Sequence, residues 1–207
     1  VEFDEGNLFS YSRFPGSDLY ESGLRANIGM TYSRMAPSGD TWRITAGRVL
    51  RAKDLGQFST GSRLSGTRSD WLLAAQFTTA GGLSLTNRAL FDDAFSFSKD
   101  ELRLSFTHGR YDLSANYVWL VADPAEGRPV ATSELAFDGG VQISDGWRIL
   151  SSGRYDFLTA RPTRAGLGFE YRNECAAINF SLSRRFTSST SVRPDTQFDL
   201  SVRLAGF

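Results

Sequence analysis

Apolar and polar residues alternate at a period of two along most of this sequence, the spacing that sends side chains to opposite faces of a β-strand. Leu24, Ala26, Ile28, Met30 and Tyr32 interleave with Arg25, Asn27, Gly29, Thr31 and Ser33. At the far end Phe198, Leu200, Val202 and Leu204 interleave with Asp199, Ser201 and Arg203, and the sequence closes on Phe207. Between them the same pattern recurs around 41–50, 71–77, 83–91, 102–106, 111–119, 134–143, 147–157, 167–172 and 178–186, so about eleven strands are predicted. No segment keeps a helical period.

One apolar side on strands of about ten residues suits tilted β-spans of a bilayer. The connections separate this from a soluble sandwich. If the last strand ends in the periplasm, the turns on that side are Met35–Asp40, Thr79–Gly82, Thr107–Arg110, Ser144–Gly146 and Asn173–Cys175, all short. The opposite connections are Ala52–Asp70, Asp92–Asp100, Ala122–Ser133, Leu158–Arg164 and Thr187–Gln197, generally longer. Short periplasmic turns and long extracellular loops are the habit of outer-membrane barrels. The expected fold is therefore all-β: an antiparallel transmembrane β-barrel of outer-membrane type.

Composition agrees. The chain carries 16 Phe, 7 Tyr and 4 Trp, and its 23 basic residues balance 23 acidic ones, so charge gives no argument for nucleic acid. No apolar run approaches the roughly 20 residues of a transmembrane helix. No basic segment followed by an apolar one marks a signal peptide. Single-chain bacterial barrels have even strand numbers, so an odd count leads us to expect the C-terminal strands of a larger barrel. On this reading residues 1–23 are an extracellular loop and 24–207 are strands.

Several motifs resemble a known family. Asn7-Leu8-Phe9, Arg13-Phe14-Pro15-Gly16, Asp18, Glu21, Gly23 and Arg25 are similar to the loop and strand that open the C-terminal half of the LptD family, the lipopolysaccharide-assembly proteins of the outer membrane. Ser69-Asp70-Trp71, Asn87-Arg88, Phe91-Asp92, Arg154-Tyr155-Asp156 and Gly166 to Tyr171 follow in the family's order, and Tyr171 to Ala177 resembles its cysteine-bearing turn. The resemblance implies a barrel of roughly 26 strands around the plug lipoprotein LptE, with a periplasmic domain that receives lipopolysaccharide from the Lpt bridge. It also implies lateral release into the outer leaflet through a seam, one side of which is the last strand with Phe198, Leu200, Val202, Leu204 and Phe207.

The resemblance further implies a disulfide from Cys175, the only cysteine, to the periplasmic domain; otherwise Cys175 is a small turn residue. By parity its turn is periplasmic, a compartment where thiols pair. Arg48 and Arg184 sit at apolar positions near outer strand ends. They either snorkel into water or meet lipopolysaccharide phosphates through bidentate guanidinium bonds. Arg25, Arg43, Arg88, Arg103, Glu134, Asp138, Arg148, Glu170, Arg185 and Arg203 face inward, solvated or paired across strands, with a subset expected to touch LptE. Trp42, Trp71, Trp119 and Trp147 have the positions of interfacial girdle residues. Pro124 and Pro129 fall in an outside loop, and Gly206 either loosens the seam or marks a frayed end.

Catalysis is not expected. His108, the sole histidine, belongs to a short turn away from any serine partner, and one His with one Cys cannot build a structural metal site. Asp92-Asp93 alone is a weak cation site. No cofactor is called for. The expected function is lipopolysaccharide transport in the cell outer membrane, among outer-membrane lipids. A diffusion porin is the alternative, and a soluble β-sandwich binding module comes third.

Overall fold

The computed structural model describes residues 2–16, 18–186 and 193–204. Among them eleven strands form: β1 (Arg25–Met35), β2 (Thr41–Arg51), β3 (Trp71–Thr78), β4 (Leu83–Phe91), β5 (Phe97–His108), β6 (Tyr111–Leu120), β7 (Thr132–Ser144), β8 (Trp147–Asp156), β9 (Arg161–Arg172), β10 (Ala176–Arg185) and β11 (Asp195–Leu204). They join one sheet whose order is the order of the sequence. Among the described residues the only helical segments are two single 3₁₀ turns, Thr60–Ser62 and Pro124–Glu126. This is the all-β, antiparallel up-and-down arrangement of outer-membrane barrel strands.

The connections expected to be short are all short; of those expected to be long, 52–70 and 121–131 are, but 92–96 and 157–160 are no longer than 36–40 and 79–82. Two turns are of two residues, Gly109-Arg110 between β5 and β6 and Asp145-Gly146 between β7 and β8; in the latter Gly146 has φ of +83° and the Arg172 carbonyl occupies the space of a side chain. Only glycine takes that conformation at little cost. Three long connections are shorter than the sequence suggests: β5 starts at Phe97, β7 at Thr132 and β9 at Arg161. The first residues of β5 are Phe-Ser-Lys-Asp-Glu, which shows no alternation, and they are held by partners instead. Asn87 Nδ2 donates to Asp100 Oδ1 at 2.8 Å, and Lys99 pairs with Glu101 at 2.9 Å. In β9 the irregular start contains Pro162, which sits where the register with β8 shifts, a position that tolerates a missing N–H. The connection before β11 was expected over 187–197; β11 already begins at Asp195, and 187–192 lie outside the described residues. His108 is the last residue of β5, near Phe106, and not a turn residue.

The chain packs as two compact units. The first comprises residues up to Ala80, Leu85–Leu102 and Val118–Thr132. Its outward face carries exposed Ile28, Met30, Tyr32, Trp42 and Ile44, a continuous apolar surface. Its buried core lies on the opposite, polar-parity face. There Val49, Leu72 and Leu90 of the strands pack with Phe3 and Leu8 from the N-terminal segment and with Phe58 and Leu64 from the connection after β2. Leu8 reaches the sheet because Gly29 and Gly47 are bare: a Cβ on either would lie within 2.7 Å of the Leu8 methyl.

The second unit comprises Gly81–Ser84, Arg103–Tyr117 and residues from Ser133 onward. Among the described residues no buried apolar cluster covers its strands. Register alignment puts Ile149, Phe169, Phe180 and Leu200 in one row across β8 to β11. Their neighbours in sequence, such as Gly168 and Ser181, form the polar face.

Candidate functional site

The N-terminal segment lies on the polar face of the first unit and is held there by charge as well as by Phe3 and Leu8. Glu21 is the hub. Its side chain is fully buried and its carboxylate accepts from Arg13 Nη1 and Arg51 Nη2, both at 2.7 Å, with Arg25 Nε at 3.7 Å. The arginines are spread further: Arg13 Nη2 donates to the Leu8 carbonyl at 2.6 Å and to Asn27 Oδ1 at 2.9 Å, and Arg51 Nη1 donates to the Leu64 carbonyl at 2.7 Å. Arg25 also donates to the carbonyls of Glu21 and Tyr11. One carboxylate thus ties the N-terminal segment, β1, β2 and the connection after β2 together. Burial acts to raise the Glu21 carboxyl, but the bonds from Arg51 and Arg13 outweigh it and hold it below its ordinary 4.5.

Two further pairs repeat the theme. Glu5 takes a fork from Arg88 of β4, Nε at 2.6 Å and Nη2 at 2.7 Å, and Glu2 takes Lys99 of β5 at 2.6 Å. The hydrogen bond from Arg88 lowers the Glu5 carboxyl, and that from Lys99 lowers Glu2. Arg25 and Arg88 therefore do face inward, but their partners come from the N-terminal segment more than from neighbouring strands. The sequence signal for this was present: Glu2, Glu5 and Glu21 precede a set of inward basic residues, and Leu72 and Leu90 are apolar at polar parity. Period-two counting alone discards both.

Arg48 is buried, its Nη1 2.5 Å from Asp93 Oδ1, its Nη2 donating to the Ser69 carbonyl at 2.6 Å, and its guanidinium 4.8 Å from the Trp71 ring centre. The hydrogen bond from Arg48 lowers the Asp93 carboxyl. Asp92 is also occupied, accepting from the backbone N–H of Ala94 and Ser96. The Asp92-Asp93 pair is thus spent on its own turn and on Arg48. Arg184 is exposed and lies over the Phe186 ring at 5.4 Å.

Elsewhere on the inward face Arg103 donates to Asn116 Oδ1 at 3.1 Å and Arg148 pairs with Asp112. Trp42, Trp71, Trp119 and Trp147 all fall within one residue of a strand end. Trp42 packs at a tilt against Phe77 and Trp147 against Tyr171. Cys175 is an exposed free thiol in the turn between β9 and β10, where Asn173 Oδ1 accepts from the N–H groups of Cys175 at 2.9 Å and Ala176 at 2.7 Å. Phe198, Leu200, Val202 and Leu204 of β11 are exposed, between 59% and 71%. Phe207 and Gly206 lie outside the described residues.

A sheet with an exposed apolar face, tryptophans at strand ends and a polar face carrying its buried contacts defines a β-strand membrane protein of the outer-membrane class. Comparison narrows the class. The family model for LptD, LPS transport system D, matches residues 1–135, and the chain belongs to that family. No curated protein matches the chain in sequence. Among solved structures it is similar to a triple mutant of the Rhodopseudomonas blastica porin, at 12% identity and a TM-score of 0.44, over 86% of this chain and 78% of that one. The family is one of transport components, not of enzymes, and it points to the outer membrane and to lipopolysaccharide.

Proposed function

We propose that this chain supplies C-terminal strands of a barrel that inserts lipopolysaccharide into the outer leaflet by lateral release through a strand seam. The family match over 1–135 carries this reading. Sugars pass along the polar face while acyl chains leave between strands, and β11 is one side of the seam, with Phe198, Leu200, Val202 and Leu204 toward the acyl chains. The plug lipoprotein LptE occupies the barrel, and the Lpt bridge delivers lipopolysaccharide through a periplasmic domain to which Cys175 is joined by a disulfide. Arg184, exposed on the apolar face, is free to meet a headgroup phosphate at the membrane surface; Arg48 meets one only by giving up Asp93.

Depletion of the full-length protein in its native cell tests the reading. Loss of surface lipopolysaccharide, restored by the wild-type gene, is expected. Normal surface lipopolysaccharide after complete depletion would leave a diffusion channel as the better account.

A further inference from the structure

The register of the last strands sets three arginines side by side on the polar face. Arg154 of β8 faces Arg164 of β9, and Arg164 faces Arg185 of β10. Arg193 follows just before β11, whose Asp195 is opposite Arg185. Directly opposed residues hold their Cβ atoms about 5 Å apart, where like charges repel. Some other basic residues of the inward face are neutralised, Arg88 by Glu5 and Glu101 and Arg148 by Asp112. Among the described residues no carboxylate lies within ion-pair distance of Arg154, Arg164, Arg185 or Arg193, and all four are exposed. Four arginines thus gather around one aspartate, Asp195.

The space before them has a matching shape. Arg164, Arg185 and Arg193, with Ser183, Pro194, Asp195 and Gln197, line a cavity of about 390 Å³. Arg164 also borders a second cavity of about 320 Å³, lined by Ser152, Ser183 and Gly168 with Asp112 and Asp138. Guanidinium forks bind phosphate bidentately. Serine hydroxyls and carboxylates pair with sugar hydroxyls, and glycine leaves room for a ring to lie against the backbone. Concentrated positive charge beside a floor of small hydroxyl residues fits one compact multivalent anion on a sugar better than the spaced carboxylates of an acidic protein surface.

We propose that Arg164 and Arg185 bind the phosphate of a phosphorylated saccharide whose sugar lies over Ser152, Ser183 and Gly168, with Arg154 adding positive charge from the neighbouring strand. The proposal rests on the transport reading, in which that saccharide is the headgroup of the moving glycolipid, and it gives the headgroup a station beside β11.

The test uses the full-length protein with its plug lipoprotein, purified in detergent, and three probes: lipopolysaccharide, lipopolysaccharide stripped of phosphate by a phosphatase, and inorganic phosphate. The Arg164→Gln/Arg185→Gln variant is expected to bind lipopolysaccharide at least tenfold more weakly, and the wild type to bind the stripped glycolipid as weakly as the variant does. Should the variant lack the heat-modifiable gel mobility of a folded barrel, the comparison of the two glycolipids on wild type decides. Equal affinity of folded variant and wild type overturns the site, as does equal affinity of wild type for both glycolipids. Competition by inorganic phosphate as strong, mole for mole, as by lipopolysaccharide overturns the saccharide part. Loss of the plug lipoprotein with glycolipid affinity intact overturns it in favour of a protein contact. A wild type that binds no lipopolysaccharide sinks the transport reading itself, a separate result.

Discussion

At the scale of single residues, Glu21 is the most consequential group in the first unit. Removing it leaves Arg13, Arg25 and Arg51 with buried positive charge and no carboxylate. Breaking a buried pair in this way costs about 3–5 kcal/mol. Glu21→Ala is expected to free the N-terminal segment, seen as new cleavage by trypsin at Arg13 in the otherwise folded protein; unchanged protection would disprove the hub. The same residue sets a pH dependence. Glu2, Glu5 and Glu21 are all lowered by folding, so their contribution is fully present above the ordinary 4.5 and is lost as pH falls from there through the depressed values. Trypsin-like nicking is unsuited to that range, and hydrogen exchange of the Leu8 and Asn27 amides is the better readout, with protection constant from pH 7 to 5 and falling below.

At the scale of strands, the two faces differ in what they tolerate. Phe180 stands mid-strand in the row with Ile149, Phe169 and Leu200, while its neighbour Ser181 belongs to the polar face with Gly168 and Asp199. An arginine facing lipid at mid-depth costs about 2–4 kcal/mol, and far less where it meets water. Phe180→Arg is therefore expected to lower the urea midpoint of unfolding in lipid vesicles, and Ser181→Arg to leave it nearly unchanged. Equal effects would mean that β10 does not present one face to lipid. Strand existence and parity were legible because alternation is a local property. Strand beginnings were not: Phe97–Glu101 and Arg161–Arg164 are ordered by partners on other strands, and nothing in a polar run announces them.

At the scale of the whole molecule, the transport reading joins this chain to a periplasmic domain through Cys175, whose exposure leaves the thiol open to a partner. Cys175→Ser in the full-length protein is expected to abolish a redox-dependent shift in non-reducing gel mobility. A shift that persists in the variant would remove the thiol from that linkage. β1 and β11 each have one strand neighbour among the described residues. An open strand edge in lipid leaves backbone groups unsatisfied, which is the physical reason a further set of strands is required on the transport reading.

By itself the sequence determined the number of strands, their outward and inward faces, the short turns on one side and the family motifs, because a period of two and a tight turn are written in neighbouring residues. Tertiary structure decided what covers the polar face. Glu21 meets Arg51 across 30 residues and Glu5 meets Arg88 across 83, and the row of Arg154, Arg164 and Arg185 exists only through the register of three strands. Such contacts depend on how distant segments align, and no local pattern records that alignment.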